Sequence, residues 1–122
     1  MRWLLHGKLN ASVGEAIRRH GHETRSPADI DLLPDAPPAE VLASARKHQL
    51  ELVTPDAALS TSPYEERFAF DRCIVFLHVG EGDVEQDDAI DRLFKRYKRL
   101  TPGRLYTVTE SRVKIRQLPG RG

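Results

Sequence analysis

One cysteine, Cys73, is all the chain has. No intrachain disulfide can form, and a reducing compartment, the cytoplasm, is the expectation. Long apolar runs are also missing. None approaches the roughly 20 residues of a membrane span. Trp3-Leu4-Leu5, at the start, is too short for the apolar core of a signal peptide and suits a buried strand better. An excess of one charge is missing too. The formal net charge is +1 over 122 residues, so only local clustering can point to nucleic acid. With 39% hydrophobic and 30% charged residues, the composition is that of a globular chain and argues against disorder. Its length fits a single domain over residues 1–122 with one core.

What is present alternates. Trp3-Leu4-Leu5 reads as a strand buried on both faces. A helix follows, in which Ser12 and Glu15 stand at capping-box spacing and Val13, Ala16 and Ile17 recur at helical spacing. Arg18, Arg19 and His20 suit its last turn, and Gly21 its stop. Polar residues 22–25 predict a short edge strand, and a Pro- and Asp-rich loop runs over residues 26–38. Val41, Leu42 and Ala45 mark a helix over residues 39–48, and Leu50, Leu52 and Val53 a strand ending at Thr54-Pro55-Asp56.

Residues 57–71, with Ser60-Thr61-Ser62-Pro63 at their centre, predict a mobile loop or a short irregular helix. Cys73-Ile74-Val75-Phe76-Leu77 is the strongest strand signal and is expected at the centre of the sheet, with Cys73 buried and unreactive. Acidic residues 83–88 open the last helix, whose apolar face is Ile90, Leu93, Phe94 and Tyr97, and Pro102-Gly103 is its expected end. Residues 105–109 and 113–116 predict an antiparallel hairpin.

This alternation predicts an α/β fold: a three-layer α/β/α sandwich on a mostly parallel sheet with a C-terminal hairpin. In such sheets the working residues follow the carboxyl ends of the strands. Here those are His6, Asp56 and His78, with the loop acids Asp29, Asp31 and Asp35 as neighbours. Imidazole with carboxylate suits Zn²⁺, Mn²⁺ or Ni²⁺. A second candidate is basic. Arg92, Lys95, Arg96, Lys98, Arg99 and Arg104 fall in one segment without an acid, a pattern that neutralises phosphates without reading bases. Its bland reading is a solvated helix face. Arg112, Lys114, Arg116 and Arg121 extend the positive character.

Several strings, in this order, resemble the short PIN-like proteins of the ribonuclease and toxin superfamily. They are the start Met1-Arg2-Trp3-Leu4-Leu5-His6-Gly7-Lys8-Leu9, the helix and exit Ala16-Ile17-Arg18-Arg19-His20-Gly21-His22-Glu23, and Glu40-Val41-Leu42 with Ala45. Leu52-Val53-Thr54-Pro55-Asp56 and the tail residues 112–119 complete the set. The resemblance implies a metal-dependent endoribonuclease of toxin–antitoxin type, with carboxylates converging on Mg²⁺ or Mn²⁺ and activating a water. It also implies RNA as substrate, an antitoxin-like protein partner and a homodimer.

Carried over residue by residue, the resemblance gives Asp56, Glu40 and Asp35 as catalytic and Asp56, Glu40 and His6 as metal-facing. The chain departs from the family pattern where His6 replaces the first-strand aspartate, Gly7 and Lys8 replace the following Glu and Asn, and Ala58 replaces the second acid of an Asp-x-Asp pair. A neutral imidazole is a poor Mg²⁺ ligand. Two readings follow: a divergent ribonuclease with impaired catalysis, or a PIN-like module that binds RNA or a protein partner without cutting.

Overall fold

A computed structural model describes residues 1–119. Its elements run β1 (Arg2–Leu5), α1 (Ala11–Arg19), β2 (Glu23–Arg25), a 3₁₀ turn (Pro27–Ile30), α2 (Pro38–Lys47) and β3 (Glu51–Thr54). They continue with α3 (Ala57–Glu65), β4 (Ile74–Leu77), α4 (Asp83–Arg96), β5 (Arg104–Val108) and β6 (Val113–Gln117). The strands form one six-stranded sheet in the order β2-β1-β3-β4-β5-β6. All neighbours are parallel except β6, which pairs antiparallel with β5. The expected α/β/α sandwich and terminal hairpin are therefore both present. Among the described residues no helix is long and apolar enough to cross a membrane.

Side-chain alternation along the strands divides the core in two. Trp3, Val53, Val75 and Tyr106 face α1 and α4. Leu4, Leu52, Ile74 and Leu105 face α2 and α3. The strands β3 and β4 are buried at every position; β4 accordingly reads as a continuous apolar run, whereas β3 also buries Glu51 and Thr54 at its ends. Cys73, fully buried beside β4, has its thiol pushed up to about 12, first by burial and then by the Glu51 carboxyl.

The placement of α4 has a topological consequence. From β1 the chain steps to β2 across one face through α1, then returns to β3 and on to β4 across the opposite face through α2 and α3. The step from β4 to β5 continues in the same direction, yet α4 lies on the face of α1. This last crossover thus has the opposite hand to the first three, a departure from the usual uniformity of such connections. The compensation is burial: Ala89, Ile90, Leu93 and Phe94 cover the half of that face which α1 alone leaves bare.

Three local expectations are corrected. Ser12 and Glu15 make no capping box. The N-cap is Asn10, and the Ser12 hydroxyl instead donates to the Asp83 carbonyl at 3.3 Å, tying α1 to α4. Of the two alternatives for residues 57–71, residues 57–65 take the short irregular helix, α3. Pro63 inside it removes one N–H, and Ser62 Oγ donates to the freed Leu59 carbonyl at 2.7 Å. The last helix stops at Arg96, well before Pro102-Gly103. Tyr97 is extended (φ −124°, ψ 99°) and packs edge-on to Tyr106 rather than extending the helical stripe. Arg121 lies outside the described residues.

Candidate functional site

Parallel strands aim their carboxyl ends at one edge, and that edge carries a cavity. It has a volume of about 800 Å³ and is walled by residues that follow β1, β3, β4 and β5. Gly7 and Lys8 come from the first, Pro55 and Asp56 from the second, His78, Val79 and Glu81 from the third, and Thr109, Glu110 and Ser111 from the hairpin turn. The cavity falls within the usual volume range of ligand pockets. Gly7 holds a left-handed φ of +83°, and a Cβ there would lie 3.0 Å from Cδ of Pro55. Only glycine lets the exit of β1 pass this close to the exit of β3.

His6 and Asp56 are brought together through Thr54. His6 Nδ1 lies 2.9 Å from Thr54 Oγ1, which also accepts the Asp56 backbone N–H at 3.0 Å. Asp56 Oδ1 caps α3, accepting from Ala58 N at 2.9 Å and Leu59 N at 3.4 Å. His78 joins Asp56 in the cavity wall, with its ring edge-on to Phe76. Glu40, in the first turn of α2, and Asp35, in the preceding loop, are exposed. Neither makes a side-chain hydrogen bond or ion pair among the described residues.

Among the described residues no group of three His, Cys, Asp or Glu side chains is placed to hold a metal ion. The donor set also fits Mg²⁺ or Mn²⁺ poorly. Asp56 is partly committed as a cap, and its partner His6 is a half-buried imidazole. The trio Asp56, Glu40 and His6 is therefore not assembled as a metal centre.

The basic segment is divided. Arg92 turns away from solvent to donate to the Thr109 carbonyl at 2.8 Å, supporting the cavity wall. Lys95 lies 3.6 Å from Asp91, and the Arg96 guanidinium stands 5.4 Å from the Tyr97 ring centre. Lys98 and Arg99 are exposed, and Arg104 opens β5 half-buried. Residues 95–99 span the last turn of α4 and the segment after it, at the amino edge of the sheet and opposite the cavity. There Lys95 and Lys98 share a hollow with His20, His22 and Phe94, with His22 stacked on Phe94 at 4.7 Å. On β6, Arg116 covers the Tyr64 ring at 3.8 Å rather than standing free.

Gln86 escaped the sequence reading. It is 2% exposed and lines the cavity, and its Oε1 accepts the Asn10 backbone N–H at 2.9 Å. Its spacing, one turn before Ala89 and Ile90 on the buried stripe of α4, is the signal that marks it.

The imidazoles of His6 and His22 both sit below their ordinary value of 6.5, burial being the largest cause. Asp56 pulls His6 the other way, while the N-terminal ammonium and His20 push His22 further down. The folded state binds fewer protons than the unfolded one. Their stabilising contribution is complete above pH 6.5 and is lost as pH falls below it, through the depressed folded values. Glu51, raised above 4.5 mainly by burial, acts in the opposite sense, its cost growing as pH rises. Replacing His22 by Gln should therefore flatten the fall in urea midpoint from about pH 7 to about pH 5. An unchanged fall would remove His22 from the acid response.

No family model, curated protein or solved structure matches the chain.

Proposed function

We propose that this chain is a PIN-like domain that binds RNA and does not cut it by a metal-dependent route. The observation that carries this reading is the exposed cationic surface at the carboxyl end of α4, where Lys95, Arg96, Lys98 and Arg99 crowd into five successive positions without an acid. Cations here also suit the carboxyl end of the helix, which anchors them without using them up. Phosphate contacts of this kind position a strand without reading its bases. That the described residues hold no cluster of three potential ligands supports binding over cutting, because phosphodiester hydrolysis by hard cations needs several oxygen ligands around the ion.

The test is anisotropy of a labelled single-stranded RNA with the full chain, alongside gel analysis after incubation with Mg²⁺ or Mn²⁺. Binding should weaken with salt, with a log–log slope of about −2 to −3 for three to four phosphate contacts. The pair Lys98→Glu and Arg99→Glu should lower affinity by about tenfold or more. Salt-insensitive binding, or none, would sink this reading. Cutting that requires Mg²⁺ or Mn²⁺ and vanishes in Asp56→Asn would overturn it in favour of the divergent ribonuclease built on Asp56, Glu40 and Asp35.

A further inference from the structure

We infer that the carboxyl-edge cavity is a binding site for a small uncharged ligand of the nucleoside class, which it selects over the corresponding phosphate. The cavity lies at the strand ends opposite the cationic surface, so this inference does not rest on the RNA reading.

Gln86 is the decisive residue. Because Asn10 offers a backbone N–H, the atom that meets it must be the amide oxygen. That assignment fixes the orientation of the side chain and leaves Nε2 as a donor without a partner among the described residues. The residue is almost wholly buried and borders the cavity. Nε2 is not sealed from solvent, and a donor held in this way at a cavity wall offers a hydrogen bond to a carbonyl or ring nitrogen of a ligand. The hold is stiff. Asn10 Nδ2 also donates to the Glu81 carbonyl at 2.6 Å, and Ser12 to the Asp83 carbonyl, so the starts of α1 and α4 are laced together around Gln86.

The rest of the wall sets the ligand's other features. Leu77, Val79 and Pro55 offer apolar surface to a flat ring. Glu81, Glu110 and the Asp56 oxygen not used in capping α3 contribute carboxylate acceptors, against the ammonium of Lys8 and the imidazole of His78. Ionised carboxylates only accept hydrogen bonds, so they match the hydroxyls of a sugar. The same excess of negative charge opposes a phosphate. A base with a carbonyl, carried on a ribose and lacking phosphate, meets all of these demands together.

The experiment is isothermal titration of the full chain at low salt with adenosine, guanosine, cytidine and uridine, and with the 5′-monophosphate of each. At least one nucleoside should bind saturably, with its monophosphate weaker by about tenfold or more. Gln86→Glu keeps an oxygen for Asn10 and replaces the donor by an acceptor, so it should weaken the nucleoside by about tenfold. Glu110→Gln, on the exposed hairpin turn, should fold normally and narrow the gap between nucleoside and monophosphate. Lys98→Glu should leave nucleoside binding unchanged, which separates this site from the RNA surface. Absence of saturable nucleoside binding, or a monophosphate that binds as well as its nucleoside, would overturn the proposal. So would a gap that Glu110→Gln leaves untouched.

Discussion

Truncating Trp3 to alanine should destabilise the protein by about 3–5 kcal/mol, a large share of the roughly 5–15 kcal/mol that holds a domain of this kind together. Trp3 is fully buried on β1 and meets Phe94 edge-on at 5.9 Å and His22 at 6.4 Å. It thereby joins the sheet to α4 and to the entry of β2. Its removal would leave a cavity that these rigid neighbours cannot fill. Trp3→Phe makes a sharp comparison. The indole Nε1 is buried without a partner, so phenylalanine removes both volume and an unpaired donor. Urea unfolding should place Trp3→Phe much nearer the wild type than Trp3→Ala. Equal losses would mean that the ring volume is not what Trp3 contributes.

The second large effect belongs to Gly7. Replacement by alanine forces a left-handed φ of +83° on a residue with a Cβ and sets that atom 3.0 Å from Pro55. The conformation alone costs about 1–2 kcal/mol, and the contact adds to it because Pro55 is a rigid ring in the cavity wall. Relief requires Pro55 and Asp56 to shift, so the same substitution should reshape the cavity. Gly7→Ala should lower the urea midpoint and weaken nucleoside binding together. Gly103→Ala is the control: it has a similar φ of +81° but an open surrounding, so it should cost stability with no change in binding. A Gly7→Ala protein as stable as the wild type would show that the exit of β1 relaxes freely.

Much of the fold was readable in advance because it is written in local patterns. Val41, Leu42 and Ala45 recur at helical spacing, and Ile74-Val75-Phe76-Leu77 is a continuous apolar run, so neither element needs its neighbours to declare itself. Where the reading failed, a distant partner had taken over. Ser12 bonds across to Asp83 instead of capping its own helix. Residues 57–65 left loop and short irregular helix both open because Ser, Thr and Pro weaken a helix; the helix forms because Asp56 caps it, Ser62 satisfies the carbonyl that Pro63 frees, and Leu59 is buried against the sheet. The basic run was legible as composition, but not as a surface. Arg92 is drawn to the Thr109 carbonyl, while Lys98 and Arg99 stay in solvent.

The sequence by itself determined the alternation of strands and helices, the buried residues Trp3 and Cys73 and the terminal hairpin. These depend on periodicity and on residue chemistry within a few positions. Only the tertiary structure decided the strand order, the placement of α4 on the face of α1, the joining of His6 to Asp56 through Thr54 and the exposure of Glu40 at the start of α2. It alone placed the buried amide of Gln86 at the cavity wall. Those features are set by contacts between residues far apart in the chain, where burial of apolar area and satisfaction of hydrogen bonds across the whole sheet outweigh any local preference.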